Sequence, residues 1–117
     1  MFRYLCLLPC ALMPVALAAQ APAAPLKLEH RMLLRCSAAF SLVAVAQENG
    51  DAAALSWPDL SVRGKEFFVR ASARVMDEAG LNREQLGAAL NAEANDIVAK
   101  GNLAQIMPPC MNLLPSN

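Results

Sequence analysis

Between Lys27 and Asn49 apolar residues recur at spacings of three and four: Leu28, Met32, Cys36, Phe40 and Val43. That period predicts a first helix over this stretch, and Gly50 stands where a left-handed C-cap belongs. From Met32 to Ala46 the pattern is apolar nearly all round, interrupted by little more than Arg35 and two serines. A helix of that kind is enclosed by others, so it is expected to be the central one. The segment 51–60 reads as a connector. Asp51 can cap one short turn across Ala52 to Leu55, and Pro58 biases Trp57 away from helix, leaving the tryptophan to lie over the edge of the core.

A second helix is predicted from Ser61 to Ala79, stopping before Gly80. Phe67, Phe68, Ala71, Val75, Met76 and Ala79 would form its inner face. Glu66, Arg70, Arg74 and Glu78 follow at i,i+4 outside, with Glu66 and Arg70 in the favourable order. The third helix has the clearest start: Asn82 as N-cap, Gln85 reaching back from N3, and Leu81 with Leu86 as a hydrophobic staple. Its stripe is Leu86, Leu90, Ala94 and Ile97, and Gly101 ends it. Leu103 to Met107 then lead into Pro108-Pro109. A proline is tolerated in a first helical turn, so a last short helix is expected over Cys110 to Leu114. The predicted fold is all-α: a compact bundle of three main helices plus a short C-terminal helix, with one disulfide.

The N-terminus follows a different rule. Arg3 begins it, Tyr4 to Leu17 is apolar apart from two prolines, and Ala16-Leu17-Ala18 is a small-x-small cleavage pattern. Residues 1–18 therefore read as a signal peptide cut after Ala18. Ala19-Gln20-Ala21 also fits, but a cut there would leave Pro22 directly after the scissile bond. A spanning helix needs roughly 20 apolar residues, more than this proline-broken stretch has, so no stable membrane anchor is expected after cleavage. Leu7-Leu8-Pro9-Cys10 is too close to the start, with proline in the wrong place, for a lipidation site. Residues 19–25 (AQAPAAP) form a leader with nothing to build a core, expected to be disordered. Residues 26–117 form a single helical domain, and the chain is expected to be periplasmic or secreted.

Export changes the meaning of the four cysteines. Cys6 and Cys10 leave with the signal, and Cys36 and Cys110 remain as one well-separated pair. In an oxidising compartment such a pair is best explained by a structural disulfide. Thiol redox chemistry relies on a close C-x-x-C pair or an electropositive helix N-terminus, and the sequence shows neither. Bridging Cys36 and Cys110 closes about 75 residues and contributes up to about 4.5 kcal/mol in the chain-entropy model.

Charge and motif content narrow the function classes. Ten basic residues are matched by ten acidic ones, so no basic field is available for a nucleic-acid backbone. Met32, Met76, Met107 and Met111, with His30 as the one histidine, raise the question of a soft metal site. They form no Met-x-x-Met or His-Met cluster, and methionine commonly fills gaps in helical cores. Lys27, Arg31 and Arg35 form a basic line at i,i+4, suited to an anionic surface or to carboxylates of a neighbouring helix. Glu93, centred on the apolar stripe of the third helix, is expected to partner an arginine from another helix or to reach outward. There is no Ser-His-Asp set, no H-E-x-x-H, no paired Glu-x-x-His and no glycine-rich phosphate loop. No catalytic residue, metal ligand or cofactor is assigned, and an enzyme is not expected.

Three blocks carry a resemblance: Arg35-Cys36-Ser37-Ala38-Ala39-Phe40; Trp57-Pro58 with Arg63-Gly64-Lys65-Glu66-Phe67-Phe68-Val69-Arg70-Ala71; and Met107-Pro108-Pro109-Cys110-Met111. Together they resemble uncharacterised small exported two-cysteine helical proteins of Gram-negative bacteria, over nearly all of the mature chain. The resemblance implies a periplasmic place and brings no activity with it. The architecture is also loosely similar to that of periplasmic acid-stress chaperones. The expected function is thus a non-enzymatic binding or chaperone-like domain whose partner is a protein. The alternative is a carrier of a small apolar ligand or soft metal ion.

Overall fold

A computed structural model describes residues 25–116. The expected signal segment 1–18, with Cys6 and Cys10, and all of the leader except Pro25 lie outside the described residues. Five helices and no strand occur among the described residues: α1 (Leu28–Glu48), α2 (Ala52–Leu55), α3 (Arg63–Ala79), α4 (Arg83–Lys100) and α5 (Leu103–Met111). Helix α1 touches each of the other four, whereas α3 and α4 meet each other only sparsely. It is the central helix that its apolar middle predicts: Cys36, Ser37, Ala38, Ala39 and Phe40 are buried in succession.

Local signals set most of the boundaries. Asp51 Oδ1 accepts from the Ala54 N–H at 2.9 Å and starts α2. Asn82 and Gln85 form a reciprocal capping box, with Gln85 N–H donating to Asn82 Oδ1 at 2.8 Å and Asn82 N–H to Gln85 Oε1 at 3.0 Å. These bonds satisfy N–H groups that a helix start leaves without intrahelical partners. Gly50, Gly80 and Gly101 follow α1, α3 and α4 with φ of 73°, 66° and 60°, a region where a Cβ is penalised. Between α2 and α3 the chain is held by Gln47. Its Nε2 donates to the carbonyls of Ala54, Trp57 and Pro58, and its Oε1 accepts from Leu60 N–H at 3.1 Å. Trp57 rests half-buried against the core edge, as expected.

Four expectations need correction. Helix α3 begins at Arg63 rather than Ser61, because Asp59 accepts from the Ser61 N–H at 2.8 Å and closes a turn there. Its predicted Glu66–Arg70 pair is not formed; Arg74 instead pairs with Glu78 at 2.8 Å and with Glu29 of α1. In the first turns of α1 the buried positions are His30 and Leu34, while Leu28 and Met32 are exposed. The neighbouring helices cover that other side of α1, so the apolar period alone selected the wrong stripe at this end.

The largest departure is at the C-terminus. Pro108 and Pro109 do not separate a segment from a last helix over Cys110 to Leu114; α5 runs through both and ends at Met111. Proline lacks the N–H that would bond four residues back, so the carbonyls of Ala104 and Gln105 lose those partners. Ala104, Gln105, Pro108 and Pro109 are all exposed, so the freed carbonyls lie on the solvated side. The opposite side carries Met107 and Cys110, both buried against α1. Cys110 thus sits near the end of α5, not at its start. Beyond it Leu114 docks into the core while Leu113 stays half-exposed.

The interior has two parts joined by α1. One gathers Cys36, Phe40, Val43, Leu60, Ile97, Met107, Cys110 and Leu114. The other gathers Leu34, Val75, Leu81 and Leu86. At the first, Gly64 lets α3 approach α1 closely: a Cβ there would lie 3.1 Å from Leu60 Cβ and 3.4 Å from Phe40 Cβ.

Candidate functional site

Cys36 and Cys110 are joined in a disulfide, with Cα atoms 5.3 Å apart and a sequence separation of 74. The bond ties the middle of α1 to α5, and both sulfur atoms are sealed in the core. Among the described residues no group of three or more His, Cys, Asp or Glu side chains is placed to hold a metal ion. The methionines of the described residues are dispersed: Met107 is buried, Met76 and Met111 pack against different parts of the interior, and Met32 is exposed.

Two charged clamps fasten α1 to its neighbours. In the first, Arg35 reaches α4, its Nη1 donating to Glu93 Oε2 at 2.8 Å and to Asp96 Oδ2 at 2.9 Å. Arg31 lies 3.8 Å from the same Glu93, and Lys100 pairs with Asp96 at 2.9 Å. Of the two roles expected for Glu93, arginine partner or outward-reaching residue, the structure shows the first, and Arg31 and Arg35 of the basic line face carboxylates of a neighbouring helix. Glu93 and Asp96 raise the Arg35 pKa by accepting its hydrogen bonds. Hydrogen bonds from Lys100 and then Arg35 hold the Asp96 carboxyl below its ordinary range. Arg35→Ala leaves the largely covered Glu93 carboxylate without its closest donor. The expected loss is about 1–2 kcal/mol, moderated by the solvent that still reaches Asp96. A fall in the urea midpoint at unchanged slope is the readout.

The second clamp was not legible in the sequence. His30 is buried, and its Nε2 lies 2.7 Å from Glu78 Oε2 near the end of α3. An ionised carboxylate only accepts, which places the proton on Nε2; Nδ1 is buried without a hydrogen-bond partner among the described residues. Arg74 completes the cluster by joining Glu78 to Glu29. Its guanidinium, and then His30, hold the Glu78 carboxyl below its ordinary range. The two residues of the His30–Glu78 pair stand 48 positions apart, so only the antiparallel packing of α1 on α3 brings them together.

Two of the surface clefts are walled in part by α3. The first, about 310 Å³, opens where α3 and α4 diverge over α1. Ala38, Leu42, Val45, Phe68, Leu90 and Ala94 supply its apolar wall, and Val45 is 57% exposed. It shares Ser41, Val45 and Phe68 with an adjoining depression that extends toward Ala44 and Leu60. The second cleft, about 380 Å³, lies between α3 and the C-terminal tail. It differs in character, because arginines line an apolar floor. Comparison with protein-family models, with curated proteins and with solved structures returned no match, so the functional reading rests on these residues.

Proposed function

We propose that the mature chain is an exported, non-enzymatic helical domain, periplasmic or secreted, that binds apolar segments of other proteins in a chaperone-like manner. The observation that carries this reading is the apolar cleft between α3 and α4, in which Val45 and Phe68 offer surface that no other helix covers. A cleft of this size suits a few apolar side chains of a partner. The disulfide supports an oxidising compartment, as does the N-terminal signal pattern. The resemblance to exported two-cysteine helical proteins is in keeping with both.

Acid is the condition under which such a cleft would widen. Glu78 and Asp96 have carboxyls held below their ordinary range in the folded chain. A depressed folded pKa gives stability that is fully present above the unfolded value, about 4, and is lost as pH falls through the folded value. Both clamps therefore weaken below about pH 4, at the ends of α3 and α4 that they tie to α1. The expected result is loss of near-ultraviolet circular dichroism between pH 4 and pH 2.5. Suppression of aggregation of an acid-denatured client should appear over the same interval. Val45→Lys, which keeps its charge throughout that interval, should reduce that suppression without lowering stability at pH 7. A chain that stays rigid and inert at pH 3 would sink the proposal.

A further inference from the structure

The cleft beside the C-terminal tail carries a different chemistry. Arg63, Arg70 and Arg74 recur on α3 at i, i+7 and i+11, which puts three guanidinium groups within a narrow arc of one helix face. Beneath them lie half-buried Leu33 and Phe67 and buried Ala71. Leu113 and Pro115 of the tail complete the lining. Arg63 fixes the tail by donating from Nη2 to the Pro115 carbonyl at 2.6 Å, and the disulfide anchors α5 just before it.

The three arginines are not equivalent. Arg74 is engaged by Glu29 and Glu78, and Arg63 is turned to the tail. Arg70 lines the cleft with no carboxylate within ion-pair distance among the described residues, although Glu66 stands one turn away and lines the same cleft. A planar guanidinium with no carboxylate partner among the described residues, at the mouth of an apolar floor, matches a planar carboxylate joined to an apolar body. The volume of about 380 Å³ is at the small end of ligand pockets, which favours a short chain over a folded partner.

We infer that this cleft is a binding site for a small amphiphilic carboxylate, with Arg70 receiving the carboxylate and Leu33, Phe67, Ala71 and Leu113 receiving the apolar body. The site is separate from the cleft between α3 and α4 and stands or falls independently of the chaperone-like reading. Octanoate, octan-1-ol and acetate distinguish its parts when titrated calorimetrically into the disulfide-intact protein. Octanoate should bind with one-to-one stoichiometry, at least about tenfold more tightly than octan-1-ol, from one charge-assisted hydrogen-bonded contact. Acetate should give no saturable signal. Arg70→Ala should weaken octanoate about tenfold and octan-1-ol much less, since only octanoate loses a charge-assisted contact, and Arg70→Glu should abolish octanoate binding. Arg70 is exposed, so both variants keep the core, and unchanged thermal unfolding verifies that. Octan-1-ol binding as tightly as octanoate would overturn the site, as would an Arg70→Ala protein that binds octanoate like the native chain. Absence of any octanoate binding would overturn it too.

Discussion

Cys36→Ser and Cys110→Ser are each expected to lower the unfolding free energy by about 2–4 kcal/mol, and to make the chain after Met107 the first segment cut by protease. The bond spans 74 positions, so in the unfolded chain it removes the freedom of a long loop. In the chain-entropy model that amounts to about 4.5 kcal/mol, of which engineered and native bridges often realise less. The folded side of the balance adds a local reason. Helix α5 contains two prolines and has no side-chain cap at its start, so it is a poor helix on its own. An interior proline costs about 3 kcal/mol relative to alanine. Its fully buried docking residues are few, Met107 and Cys110, then Leu114 beyond the helix end, while Leu103, Ile106 and Met111 are only partly covered. Serine would also place a hydroxyl in a site that is almost fully enclosed, without the bond. Chemical denaturation of oxidised, reduced and serine-substituted protein, with limited proteolysis alongside, tests the statement. Non-reduced protein beginning at Ala19 should carry no reactive thiol. Titration of two free thiols, or serine variants as stable as the native chain, would show that packing alone holds α5 on α1.

Closing the bond also has a consequence for the surface. The residues that wall the arginine-lined cleft, Leu113 and Pro115, come directly after the anchored cysteine. Loss of the bond frees that wall before it unfolds the bundle. The cross-link thus joins a stability device to the shape of a candidate ligand site.

What could be read in the sequence follows the range of the interactions concerned. The start of α4 was legible because Asn82 and Gln85 satisfy each other's backbone within four residues. The Asp51 cap and the three glycines of positive φ are equally local. The role of Glu93 was legible only as a choice: a carboxylate centred on an apolar stripe takes a donor from elsewhere or reaches outward, and the packing of α1 on α4 brings Arg35 to it. Position along the helix did not reveal which side of the first turns of α1 would be covered. Leu28 and Met32 have the apolar period, but His30 and Leu34 face α3. Nor could local rules decide the course of α5. The rule that proline breaks helices is a statement about carbonyls left without donors, and here those carbonyls face water while Met107 and Cys110 dock. Arg70 and Arg74 read as part of an outer face until the tail, some forty residues away, supplies a second wall.

Phe40→Ala is expected to cost about 3–5 kcal/mol, the range for removing a buried aromatic ring. Phe40 is 1% exposed and stands where α1 crosses the start of α3. Its ring meets Phe67 edge to face, with centroids 5.1 Å apart and planes at 84°, a geometry that adds about 0.5–1.5 kcal/mol beyond area burial. The site has little means of collapsing into the space left behind. Gly64 already brings the α3 backbone close, and Leu60 is packed on the same side. A cavity that cannot shrink carries the upper part of the cost. Domains of this size have about 5–15 kcal/mol in all, so the variant should remain folded at 25 °C with a much reduced margin. Its Tm should fall by at least about 12 °C, at 4–8 °C per kcal/mol for a domain of this size. Phe40→Leu keeps most of the volume and should lose about 1.5 kcal/mol or less, chiefly the ring contact with Phe67. Urea unfolding of the two variants beside the native chain separates these effects, since the slope should stay unchanged in both. A loss below about 1 kcal/mol for Phe40→Ala would mean that α1 and α3 can repack across Gly64, and that the crossing is not the centre of the fold.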